Sequence, residues 1–257
     1  GAAEARAKVP SLKSEAVALA GFDAAAQDID VDLLLQGFQR MLRACGGTVR
    51  TGIEIGAIRR DGAVWRIEAG AEAFTAPVLV NAAGAWGDVV AAMAGVAPVG
   101  VQPKRRSAVM VPLPEGLDPG NWPLFGGVRE DWYAKPTGGQ LMVSPADEDP
   151  VEPHDAWPDD MVLAEGLERY GRMVTLPVTR IGRSWAGLRS FVADRSPVAG
   201  FDPQHEGFFW LVGQGGYGIQ TAPGLSAYAA DLIAGREPAV AADIVAGLSP
   251  ARLSRPT

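Results

Sequence analysis

The chain has 257 residues, 47% of them hydrophobic, and a formal net charge of −7. Enough apolar material is present to rule out a disordered chain, and the acidic balance argues against nucleic acid as the main partner. No apolar run reaches the roughly 18 residues of a membrane span, and the single cysteine, Cys45, rules out an internal disulfide and fits a reducing, cytoplasmic compartment. The polar start, 1–6, has no signal-peptide core. It lacks an opening Met, as a processed, clipped or engineered piece would.

The first strong element is a helix over 31–44. Leu34, Leu35, Phe38, Met41, Leu42 and Cys45 make one apolar stripe, which marks Cys45 as a core residue. Asp30 caps the start, and Gly46-Gly47 stop the helix. Segments 53–59 and 64–68 read as a hairpin around the turn dipeptide Asp61-Gly62. Val78-Leu79-Val80 is a short strand that runs into Asn81-Ala82-Ala83-Gly84-Ala85-Trp86 and a helix to about Ala94. Several strands separated by Pro/Gly turns are expected over 102–143.

The acid-rich stretch 147–160 reads as a solvated loop. A helix follows over 161–172, then two strand-like segments, then the buried strand Phe208-Phe209-Trp210-Leu211-Val212. The last helix is expected over 222–233 with Pro223 in its first turn. The tail after Arg236 is weakly patterned. This order predicts an α/β (α+β) fold, with parallel-sheet pieces at both ends and a mainly antiparallel sheet inserted between them.

Gly213-Gln214-Gly215-Gly216-Tyr217-Gly218 has the form G-x-G-x-x-G between a strand and a helix. An ordinary Rossmann fingerprint needs a second strand, with an acidic residue about 20 positions on for the ribose. No strand pattern follows here, so that reading is rejected. Two readings remain. The glycines let an anionic or electron-rich ligand approach a helix start, or they serve tight strand-to-helix packing alone. The only histidines, His154 and His205, lie far apart without cysteines or paired carboxylates at ligand spacing, so no metal site is read. No Ser/His/Asp order stands out.

Val80-Asn81-Ala82-Ala83-Gly84-Ala85-Trp86, Trp185-Ala186-Gly187-Leu188-Arg189 and the 213–223 turn occur in that order. Together they resemble the FAD-dependent D-amino-acid oxidase/dehydrogenase family, which includes glycine and sarcosine oxidases. Longer stretches are similar to the bacterial D-arginine dehydrogenase group: Gln102-Pro103-Lys104-Arg105-Arg106-Ser107-Ala108, Ser144-Pro145-Ala146, Asp149-Pro150-Val151-Glu152 and 185–194. The likeness runs from about Val9 to the end. Family members open with a βαβ unit carrying G-x-G-x-x-G. Nothing like it precedes residue 50, so about the first third of such a protein is expected to be missing, with some of its substrate contacts.

The resemblance implies FAD as cofactor. It implies an incomplete, Rossmann-like FAD-binding domain from 36–98 and 195–257, and a substrate-binding domain from 1–35 and 99–194. Arg189 and Arg106 would pair with a substrate carboxylate, which a planar guanidinium can bind in a bidentate way. Tyr133 would offer its hydroxyl to the same group, and Gly216 and Gln220 would lie at the reacting centre. Gly215, Gly216, Tyr217, Gly218, Ile219 and Gln220 would line the flavin. Ala83, Gly84 and Trp86 would lie near the pyrophosphate or ribityl chain, and Ile55 near the adenine. No side chain is expected to do the chemistry itself, which belongs to the flavin.

The implied reaction oxidises a D-amino acid, with basic ones such as D-arginine foremost, to an imino acid and then a 2-oxo acid and ammonia. A related flavoenzyme acting on a secondary amine or a 2-hydroxy acid would use the same arginines. A fragment or subunit that needs a second chain, or a missing N-terminal segment, to complete the FAD site is the third reading.

Overall fold

The computed structural model describes residues 1–253, and the last four positions of the 195–257 segment lie outside the described residues. The first half of the chain forms α1 (Ala2–Lys8), α2 (Val31–Ala44), β1 (Ala57–Asp61), β2 (Val64–Ala69), β3 (Glu72–Ala76), β4 (Leu79–Asn81), α3 (Gly87–Met93) and β5 (Gln102–Pro112). The remainder forms β6 (Phe125–Gly126), β7 (Tyr133–Thr137), β8 (Gln140–Ser144), α4 (Asp160–Met173), β9 (Ser184–Phe191), β10 (Val198–Phe201), β11 (Phe208–Val212), α5 (Gly218–Ile233) and α6 (Ala242–Leu248). The fold is mixed α/β, as the sequence predicts. Two compact units result, one from Gly1–Ala24 and Pro103–Arg189, the other from Ala25–Gln102 and the chain from Ser190 on.

In the first unit, five strands pair in the order β6-β7-β8-β5-β9. The register sets Val109 against Val143 and Val111 against Leu141 on β5 and β8, and Ala134 against Val143 on β7 and β8. Because side chains alternate along a strand, these residues share one face. That face is buried with Leu163 and Tyr170 of α4 and with Val9, Leu12, Trp132 and Val174. Each fully buried aliphatic or aromatic side chain contributes about 1.5–3 kcal/mol. Asp159 caps α4 by accepting from the Met161 and Val162 amides. Trp132 meets Tyr170 edge-on at 5.7 Å between ring centroids. Burial pushes the Tyr170 hydroxyl up to about 12, so it stays neutral.

In the second unit, β1, β2 and β3 form an antiparallel meander. The predicted hairpin is there, but the pairing starts at Ala57 rather than residue 53, and β3 was not foreseen. A separate sheet has the order β10-β11-β4, with β11 antiparallel to β10 and parallel to β4. Trp65, Phe208 and Trp210 stack edge-to-face in its core, at 5.6 and 5.2 Å. The Asp202 carboxylate anchors the β10–β11 turn by accepting from Trp210 Nε1 at 3.1 Å and from the Gln204 and His205 amides at 3.0 Å.

Four expectations change. α2 forms with Asp30 accepting from the Leu33 amide at 2.9 Å, but none of its residues is buried. Leu33, Leu35, Phe38, Met41 and Leu42 are 45–66% exposed, and Cys45 is exposed rather than core. Amphipathic spacing says that a face is apolar. It does not say what covers it. α5 starts at Gly218, four residues before the expected 222, so Pro223 lies inside the helix. The 3.6-residue pattern was obscured by Gly218 and Thr221, whose hydroxyl bonds back to the Tyr217 carbonyl at 2.9 Å. The tail forms α6 and a short 3-10 turn, Pro250–Leu253. Finally, the 147–160 stretch is not wholly solvated, because Asp147 is buried.

Gly166 brings α4 against Pro145, and a Cβ there would lie 2.6 Å from the Pro145 Cα, whereas a Cβ at Gly171 meets nothing within 4 Å. Gly166→Ala is expected to destabilise by about 1–3 kcal/mol. Gly171→Ala should be neutral or stabilise by up to about 1 kcal/mol. Denaturant unfolding of the two variants checks this contrast. Burial raises the Asp202 carboxyl, but hydrogen bonds from Trp210, His205 and the Gln204 amide outweigh it and hold the group below its ordinary 3.8. Its stabilisation is therefore complete above that value and is lost as pH falls through the lower folded-state value. Asp202→Asn should flatten the loss of stability in thermal melts taken from neutral to acid pH.

Candidate functional site

The parallel pairing sets Leu79, Val80 and Asn81 beside Phe208, Phe209 and Trp210. Both strands therefore end at the same edge of their sheet. The two segments singled out for the cofactor, Ala83–Trp86 and Gly215–Gln220, both emerge there. Ligands of α/β sheets bind at the carboxyl ends of parallel strands.

The first turn is built by Asn81, a side chain only 1% exposed. Its Nδ2 donates to the Gly87 carbonyl at 2.8 Å, and its Oδ1 accepts from the Ala83 amide at 3.3 Å. Gly84 takes a positive φ of 57° with open space where a Cβ would stand, and Trp86 is 44% exposed. Gly87 keeps α3 close to β11, since a Cβ would stand 3.0 Å from Val212 Cγ1. The loop after α3 is fastened by Asp88, which accepts from the amides of Val99, Gly100 and Val101.

The second turn needs its glycines. Gly213 and Gly215 have φ of 76° and 56°. The Gly215 amide donates to the Ser190 carbonyl at 2.8 Å, and a Cβ there would stand 2.5 Å from the Phe191 ring. Tyr217 is the N-cap of α5 and supplies no capping side-chain bond, so the first-turn amides at Gly218, Ile219 and Gln220 are left for solvent or ligand. Gly216 and Gln220 are exposed, and Tyr217 and Ile219 are 56% and 44% exposed. Open glycine backbone, uncapped amides and outward-facing apolar side chains fit a ligand with a negative, planar, aromatic part, as FAD has. Ile55, 40% exposed, lies just before β1 and outside any strand.

In the first unit, Tyr133 pairs with Ser144 on β8, and Met110 of β5 pairs with Met142. Alternation then puts Tyr133, Met142, Met110 and Arg106 on the face opposite the apolar core. Arg189 stands on β9, the strand next to β5 in the same sheet, and is half-buried. The Arg106 guanidinium donates from Nε to the Asp147 carbonyl at 2.9 Å and from Nη2 to Glu148 Oε1 at 3.1 Å.

Asp147 and Glu148 were missed in the sequence. Asp147 accepts from the Ser107 amide and hydroxyl at 2.6 and 2.8 Å, and Ser144 Oγ donates to the Ser107 carbonyl at 2.7 Å. The only available signal was the strand Lys104-Arg105-Arg106 and the later Asp147-Glu148-Asp149, matched charge for charge. His205 Nδ1 bonds Asp202 and His154 Nδ1 the Glu152 carbonyl. Gly215→Ala combines an unfavourable φ with the clash on Phe191 and is expected to destabilise by on the order of 1–3 kcal/mol. Thermal unfolding measures it, with Gly224→Ala, where a Cβ meets nothing, as the control.

A family model described as "FAD dependent oxidoreductase" matches residues 1–232. FAD-dependent oxidoreductase domain-containing protein 1 of Xenopus laevis is 28% identical over 182 residues, which cover 61% of this chain and 34% of that protein. The chain thus spans about a third of the length of that curated relative. Among solved structures, glycine oxidase from Geobacillus kaustophilus superposes with a TM-score of 0.81 at 23% identity, over 100% of this chain and 66% of that one. L-proline dehydrogenase from P. horikoshii gives 0.79 at 20% identity, over 92% and 64%. At such identities the likeness speaks for the fold, and the family match over most of the chain decides the rest: the chain belongs to the DAO family of FAD-dependent oxidoreductases.

Proposed function

We propose that the protein oxidises D-amino acids at the Cα–N bond, with basic ones such as D-arginine as the leading substrates. The observation that carries this reading is the placement of Arg106 and Tyr133 on one face of a sheet whose next strand bears Arg189. These three would hold the substrate carboxylate. A bidentate guanidinium contact fixes which Cα hydrogen faces the cofactor. FAD, when bound, would supply the two-electron oxidising power for loss of the Cα hydride. Loss of an ammonium proton leaves the imino acid, and water converts that to a 2-oxo acid and ammonia.

In this reading Gly215, Gly216, Tyr217, Gly218, Ile219 and Gln220 line the flavin, Gly216 and Gln220 also face substrate, and Ala83, Gly84, Trp86 and Ile55 hold the rest of the cofactor. The second unit is the FAD-binding part and the first unit the substrate-binding part. The solved relatives named above are described as acting on glycine and on L-proline, which supports an amino-acid substrate but not its hand or side chain. A likeness to D-arginine dehydrogenases rests on the 102–108, 144–146, 149–152 and 185–194 stretches alone.

A second reading has its own observation. The exposed apolar face of α2 and the edge strand β4 are suited to receive a further β–α unit carrying a phosphate-binding glycine loop. That unit would come from another segment or another chain, and without it the chain does not turn over.

Anaerobic addition of D-arginine to the purified, FAD-loaded protein tests the main reading. Bleaching of the visible flavin absorption is the expected result. Bleaching by sarcosine or 2-hydroxyglutarate, with none by D-amino acids, would replace it with a secondary-amine or 2-hydroxy-acid enzyme. A colourless chain that becomes competent only with an added dinucleotide-binding unit would establish the second reading. Arg189→Lys should raise KM about 10- to 100-fold, the loss of one charge-assisted contact.

A further inference from the structure

We propose that Glu148 is a positioning residue for Arg106, holding the Nε/Nη2 side of its guanidinium so that the outer Nη1/Nη2 edge is presented to the substrate carboxylate. The inference rests on Arg106 being a carboxylate-binding residue, as proposed above.

A guanidinium offers five N–H donors in a rigid, planar fork. In Arg106, two donors on one side are used, Nε on the Asp147 carbonyl and Nη2 on Glu148 Oε1. Nη1 has no hydrogen-bond partner among the described residues. The outer edge, Nη1 with the second proton of Nη2, has the spacing a carboxylate needs for two parallel bonds. The side chain of Arg106 is 14% exposed, so its orientation is set by these contacts and not averaged in solvent.

The acceptors are themselves fixed. Asp147 is tied to Ser107 on the same strand as Arg106, through both the Ser107 amide and hydroxyl. Its side chain is 3% exposed. Ala146 turns the chain with a φ of 56°, and its amide donates to Ser144 Oγ at 3.1 Å. This puts the Asp147 carbonyl and the Glu148 side chain on the side of the strand where Arg106 stands. Lys104 Nζ lies 3.5 Å from Glu148 Oε2, so Glu148 sits between two cations two positions apart on β5. Lys104 restrains the carboxylate that restrains Arg106.

The test compares a D-amino acid with its carboxamide as substrates of the FAD-loaded full chain, using the acid that turns over fastest. Arg106→Ala should abolish most of the preference for the acid. Glu148→Ala should raise KM for the acid roughly tenfold, change kcat by less than about threefold, and leave KM for the carboxamide unchanged. Glu148→Gln keeps an acceptor oxygen for Nη2 and should restore most of the loss. Should Glu148→Ala not fold, Glu148→Asp, which draws the carboxylate back by one methylene, is expected to move KM for the acid in the same direction. Side-chain NMR of arginine guanidinium groups gives an independent readout, because Glu148→Ala should speed exchange of the Arg106 Nη2 protons, which Glu148 accepts from. If Arg106→Ala leaves the acid preference intact, the carboxylate role of Arg106 is wrong. If Arg106→Ala abolishes the preference while neither Glu148→Ala nor Glu148→Asp changes KM for the acid, Arg106 keeps its role and the positioning role of Glu148 is overturned.

Discussion

Three residue pairs, Leu79 with Phe208, Val80 with Phe209 and Asn81 with Trp210, connect parts of the chain more than a hundred positions apart. Everything proposed about the cofactor depends on their being parallel. An antiparallel pairing would send the turns after β4 and β11 to opposite ends of the sheet. A parallel pair cannot be made by a hairpin and needs a long crossover, so the whole first unit's inserted strands and α4 lie between its two members in sequence. The pairing is short and is stabilised mainly by what lies against it. Phe208 and Trp210 are fully buried, and Asn81, equally buried, uses both ends of its amide to shape the turn that follows. A buried amide left half-satisfied would cost about 1–3 kcal/mol, which ties the end of the strand to one loop geometry.

In the first unit one sheet has two different faces. Odd positions of β5 from Val109 to Val111 fill the core, while Arg106 and Met110 face away from it. Ser107 stands where the two regimes meet. Its amide, hydroxyl and carbonyl are all engaged by Asp147 and Ser144, so the strand is locked by polar contacts at the point where its apolar contacts end. Buried polar networks of this kind specify geometry as long as every member is satisfied. Arg105 and Arg106, adjacent on the strand, are both drawn to the 147–149 segment, Arg105 by Asp147 and Asp149 and Arg106 by Glu148.

Local pattern made much of this legible. The helix over 31–44 with its Asp30 cap, the turn at Gly62, the strand at 208–212 and the glycine turn after it follow from periodicity, capping chemistry and the need for positive φ, all of which act within a few residues. Long-range effects were not legible. No local signal distinguishes Asp147 from the solvated acids around it, because its partner Ser107 is 40 residues away. Cys45 sits on an apolar stripe, and the stripe is real, yet the residue is exposed, because burial depends on a neighbour that the stripe does not encode. The start of α5 was missed because Gly218 and Thr221 are poor helix formers whose cost tertiary context absorbs. The glycine motif shows both sides. Its backbone requirement could be read directly, whereas its role could be approached only through resemblance.

The uncovered stripe on α2 also has a thermodynamic consequence. Any surface that packs on Leu35, Phe38 and Leu42 in the folded state, and not in the unfolded chain, adds RT ln(1 + [L]/Kd) to the folding free energy. At a concentration of a hundred times Kd that is about 2.7 kcal/mol, a large fraction of the net stability of an ordinary domain. With such a partner, the stability of the second unit would be a function of the partner's concentration as well as of sequence.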